Sequence, residues 1–173
     1  MLVIINVCIL CSLGIIVFQD FKQRQISWML LPLALIGFVG KAILYKNDIL
    51  HDFFLNTLFI LLQLVCLTLY FSIKKKKLFN IVDTYMGLGD ILFFIVVCAV
   101  FSPVNFIAFY FISMILTLTG VLLYNFFSSR PATDIPLAGS MAAVLLLIVV
   151  TTFIFPGINF YNDGLILNVI QLR

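Results

Sequence analysis

Residues 91–127 form a stretch of 37 residues without one charged side chain. Drawn as a single helix it would be about 56 Å long, nearly twice the hydrocarbon thickness of a bilayer. As the core of a soluble domain it would need a polar shell that this chain does not have. The 173 residues include only ten Lys or Arg and seven Asp, with no Glu, and 64% are hydrophobic, whereas a soluble domain is about 25% charged. The expected solvent is therefore the bilayer, and the stretch must fold as two spans. Ser102-Pro103-Val104-Asn105 is the evident break, because proline opens a turn or starts a new helix.

Applied to the rest of the chain, the same reasoning predicts one all-α integral membrane domain over residues 1–173. It has six transmembrane helices at about 1–19, 28–45, 53–73, 84–101, 104–127 and 135–155. The first run has no positive segment before it and no small-residue cleavage site before Asp20, so it is expected to remain as a helix. Lys41, inside the second run, is expected to snorkel to the nearby end. Cys8, Cys11, Cys66 and Cys98 all lie in apolar runs, where a thiol behaves as a small hydrophobe.

Orientation follows the basic residues of the loops. If each run crosses once, Lys22, Arg24, the four lysines at 74–77 and Arg130 share the cytoplasmic side, against Lys41, Lys46 and Arg173 outside. The N-terminus is then outside. A five-span arrangement would place Arg130 outside and leave an overlong helix. The lysine run reads as a topology anchor, and nothing in the chain points to nucleic-acid binding.

Of the acids, Asp48, Asp52 and Asp163 fall outside and Asp20, Asp83, Asp90 and Asp134 fall near the cytoplasmic face. Asp90 is the expensive one. With its helix ending near Ser102 it lies about 18 Å from the outer end, within hydrocarbon depth, where an ionisable group marks a functional site by default. Asp20 closes the first helix and reaches a similar depth. Gly87 and Gly89 flank the approach to Asp90, weaken a helix there and let another backbone come near, an opening suited to an extended peptide. Two facing carboxylates can share a proton, one serving as base and one as acid in peptide hydrolysis. The same features also suit helix packing for Gly-x-Gly and capping for Asp. His51, between Asp48 and Asp52 in an outside loop, makes no metal site on its own.

Three segments resemble the type IV prepilin peptidases, intramembrane aspartyl proteases with a GxGD motif. Met86-Gly87-Leu88-Gly89-Asp90 is similar to the core motif. Asp20 with Lys22, Arg24 and Ile26 is similar to the first catalytic segment, and Ile135-Pro136-Leu137-Ala138-Gly139 to the stretch that opens a late helix. The resemblance spans essentially the whole chain. It departs at Ser27, where the family usually has Pro, and at Leu92, where it commonly has Lys. It also lacks the cytoplasmic insert with paired CxxC motifs of the members that also N-methylate.

The resemblance implies a catalytic pair Asp20 and Asp90, a backbone opening at Gly87, Gly89 and Pro136, and no metal or organic cofactor. It implies removal of a basic leader, without methylation, from a prepilin-like protein of type IV pilus kind, whose leader is followed by an apolar helix. The place is the cytoplasmic face of the inner membrane. Asp83 and Asp134 could attract such a leader, though loop solvation or capping accounts for them as well. A different class of function is a membrane scaffold or transporter in which Asp20 and Asp90 bind a cation or relay protons. A member that binds pilin-like helices without cutting them is a third.

Overall fold

A computed structural model of the chain describes residues 2–45, 49–76, 87–127 and 136–155, together with residues 160, 161 and 163. Lys46, Lys77, Arg130 and Arg173, used above for topology, lie outside the described residues. The described chain is all-helical, with α1 (Leu2–Gln23), α2 (Leu30–Tyr45), α3 (Ile49–Lys75), α4 (Leu88–Cys98), α5 (Pro103–Phe127) and α6 (Leu137–Ile154).

α1, α3, α5 and α6 are long and apolar enough to cross a membrane. α2 and α4 are apolar but shorter, 16 and 11 residues, or about 24 and 16 Å. Many large apolar side chains face outward, among them Ile36, Leu62, Phe111, Leu122 and Phe126. Water would penalise such a surface and hydrocarbon does not.

α4 is the innermost element. Phe93, Phe94, Val96, Val97 and Cys98 are all buried, and α2, α3 and α6 pack around the helix. It stops at Cys98 although the apolar sequence continues, because the chain tightens into a turn in which Ala99 N–H donates to Val96 O and Val100 N–H to Val97 O. The carbonyls freed at that end need partners in an apolar interior. Asn56 of α3, 2% exposed, supplies them, its Nδ2 donating to Cys98 O at 3.0 Å and to Phe101 O at 2.9 Å. Asn105 Nδ2 in turn donates to Ser102 Oγ and to Phe160 O, and Val104 N–H donates to Asp163 Oδ1. Asp163, read from sequence as part of an outside tail, thus holds the first turn of α5.

The α1–α6 and α1–α2 interfaces are the most extensive. Small residues let these backbones approach. Gly14 of α1 faces Leu146 of α6, and Gly37 of α2 lies so close to Ile9 that an added Cβ would come within 2.8 Å of its Cγ1. Lys41 does not snorkel as expected. It is only 8% exposed, on the face of α2 that also buries Ala34, Phe38 and Ala42.

The observed helix ends differ from the predicted ones where local chemistry decides. α1 continues through Asp20 to Gln23 and is ended by Arg24 at φ 54°, a left-handed residue that stops the helix as glycine commonly does. Lys76, at φ 52°, follows the end of α3 in the same way. α4 begins at Leu88, so Gly87 is not in the helix but precedes it with an extended backbone.

Candidate active site

The site is assembled at the N-terminus of α6. Pro136 precedes this helix and provides no side-chain cap, so the amides of its first turn lack partners within the helix. Leaving such donors unsatisfied in an apolar interior costs several kcal/mol each. Two of them are satisfied from other helices. Ala138 N–H donates to Asp90 Oδ1 at 3.1 Å, and Gly139 N–H donates to Asp20 Oδ2 at 2.6 Å. Consecutive residues of one turn therefore bring together two carboxylates 70 positions apart in sequence. The positive end of the α6 dipole favours negative charge at this point.

Each acid is held by its own element as well. Asp90 sits in the first turn of α4, where its Oδ2 accepts from Gly87 N–H at 3.2 Å. Asp20 lies in the last turn of α1, is 7% exposed, and feels the Coulombic attraction of Arg24 just beyond the helix end. Asp20 and Asp90 are also close enough to repel each other electrostatically. Of the four carboxylate oxygens, three accept amide hydrogens, while Asp20 Oδ1 has no hydrogen bond among the described residues.

Gly139 is required by this geometry. A Cβ there would lie 2.7 Å from Asp20 Oδ2 and 2.8 Å from Asp20 Cβ, distances no side chain tolerates without displacing the acid. One residue on, Ser140 Oγ lies 2.7 Å from Thr117 Oγ1 of α5, which ties the same turn of α6 to a third neighbour.

The structure thus brings Asp20, Asp90, Gly87 and Pro136 into one neighbourhood. Gly89 is bordered by Ile26, which an added Cβ would meet at 3.5 Å, an ordinary contact distance. Ser27 uses its N–H to donate to Gln19 Oε1 at 2.9 Å, a bond that proline could not make. Leu92 is 37% exposed. Met86, Asp83, Asp134, Ile135 and Asp48 lie outside the described residues. Among those described, no three His, Cys or Asp side chains gather as a metal-ligand set. The amides of Ala138 and Gly139 were not foreseen as the groups that bind the acids. The signal available was an Ile-Pro pair followed, after Leu137, by the small residues Ala138 and Gly139, which marks an uncapped helix start open to close approach.

Searches against family models, curated proteins and solved structures returned no match.

Proposed function

We propose that this chain is an intramembrane aspartic endopeptidase that removes the basic leader of prepilin-like membrane proteins, with Asp20 and Asp90 as its catalytic pair. The observation that carries this reading is the convergence of the two acids on the consecutive amides of Ala138 and Gly139. Two carboxylates so placed cannot easily both be ionised, and a shared proton is what peptide hydrolysis by such a pair requires. One acid takes a proton from water as the water oxygen bonds to the scissile carbonyl carbon, and the other gives its proton to the carbonyl oxygen. The carbon–nitrogen bond of the resulting diol then breaks, the leaving nitrogen taking the first proton and the second acid recovering its own from a diol hydroxyl.

The reading includes six membrane crossings with the N-terminus outside, in the inner membrane. The end of the bundle that carries Asp20 also carries Lys22 and Arg24, the mark of a cytoplasmic face, where a basic leader would end and an apolar helix begin. No methylation is proposed, since the chain contains no paired CxxC insert.

The test is co-expression with tagged prepilin-like substrates, scoring leader removal by mass for wild type, Asp20→Asn and Asp90→Asn at matched membrane levels. Cleavage by wild type and a loss of at least 100-fold in each variant is expected. Full activity of Asp90→Asn would sink the proposal, and proton or cation flux through reconstituted protein without any cleavage would favour the transporter reading instead.

A further inference from the structure

The hydrogen bonds at the α6 N-terminus distinguish the two acids. An amide N–H can donate only to an oxygen that offers a lone pair, and a carboxyl O–H pointed at an amide hydrogen would place two donors against each other. Both oxygens of Asp90 already face amide donors, Oδ1 that of Ala138 and Oδ2 that of Gly87. For Asp20 only Oδ2 does so, facing Gly139, while Oδ1 of this 7% exposed side chain has no hydrogen bond among the described residues. If the pair holds one proton, Asp20 Oδ1 is the oxygen that can carry it while all three amides keep an unprotonated acceptor, and this preference is set against the attraction of Arg24 for an ionised Asp20.

We infer that this proton resides on Asp20 Oδ1 and that Asp90 is the ionised partner. The division of labour that follows rests on the peptidase reading above. Asp90, with lone pairs to spare on both oxygens, is the base that takes a proton from the attacking water. Asp20, through Oδ1–H, is the acid that protonates the scissile carbonyl oxygen. The carbonyl is then received on the Oδ1 side of Asp20, away from α6. The amides of Ala138 and Gly87 hold the ionised Asp90 in place, and that of Gly139 keeps the proton of Asp20 from moving to Oδ2.

The proton's position can be read without any substrate. Solid-state NMR of the full chain in lipid vesicles, with ¹³C in the Asp carboxyls and ¹⁵N in either Ala or Gly, separates the two acids. The carboxyl near labelled Ala is Asp90, beside Ala138, and the one near labelled Gly but not Ala is Asp20, beside Gly139. The Ala-coupled carboxyl is expected to show the ionised tensor and the Gly-only carboxyl the protonated one. The reverse assignment, two ionised carboxyls, or no coupling to Ala overturns the inference.

A second measurement uses thermal unfolding of the full chain in detergent. Asn replaces a protonated Asp nearly isosterically, so Asp20→Asn is expected to stay within about 2 °C of wild type. Asp90→Asn turns an amide NH₂ towards an amide donor and is expected to melt roughly 5 °C lower. Equal losses in the two variants contradict the assignment. Failure of the wild type to cleave any prepilin would remove the peptidase reading but leave both of these outcomes as they are.

Discussion

Gly139 occupies the third position of α6, where replacing glycine by alanine normally stabilises a helix by about 0.5–1 kcal/mol. Here the sign reverses, because the new methyl would stand 2.7 Å from Asp20 Oδ2. Gly139→Ala is expected to lower the melting temperature and to reduce cleavage at least tenfold. Gly120→Ala in α5, where nothing lies within 4 Å of the added carbon, is expected to gain about 0.5–1 kcal/mol. Thermal unfolding of the two variants side by side checks the contrast. Asp20, Asp90 and Pro136 could be singled out from sequence because an ionisable side chain or a proline in an apolar chain is conspicuous. The amides that bind the acids could not be, since a backbone donor has no letter of its own and its need for a partner depends on where a helix starts. Lys41 shows the converse, a position assigned by its nearness to a polar stretch and found buried within the packed bundle.

At the scale of the element, α4 is the most informative. Its apolar run suggests a helix of membrane length, yet only 11 residues are helical, and both ends depend on other parts of the chain or on a single glycine. Gly87 begins it, and Asn56, more than forty positions earlier, satisfies the carbonyls at its close. Asn56→Leu keeps the volume roughly constant and removes both bonds, so it is expected to cost about 2–3 kcal/mol, measurable as a shift in the unfolding midpoint of the detergent-solubilised protein. Apolar run length located all six helices, because a long apolar run between polar segments is a local signal. It placed the ends of α1 and α4 less well. α1 ends where Arg24 adopts a left-handed backbone, which nothing in an arginine announces, and α4 ends through a partner distant in sequence.

In the whole molecule, α1 and α6 meet through the end of one and the start of the other, and α4 presents its own start at the same place. Asn56, near the start of α3, touches the close of α4, so these two run antiparallel and the lysines ending α3 lie towards the same end as Asp90. Single cysteines at Lys22 and Lys75, in a chain whose four native cysteines are replaced, are therefore expected to react with an impermeant thiol reagent from one side of the membrane. One at Leu50 is expected to react from the other, and labelling of positions 22 and 75 from opposite sides would refute this arrangement. The all-helical architecture was legible because a chain with so little charge has few alternatives, whereas the meeting of three helix ends depends on packing between segments far apart in sequence. That meeting also imposes an order in time. α6 is the last of the six helices to leave the ribosome, so the two acids enter the membrane before the amides that will receive them exist. Until α6 docks, Asp20 and Asp90 have only local contacts and water. A half-made chain therefore lacks the paired-acid site, which comes into being only as the last helix of the bundle docks.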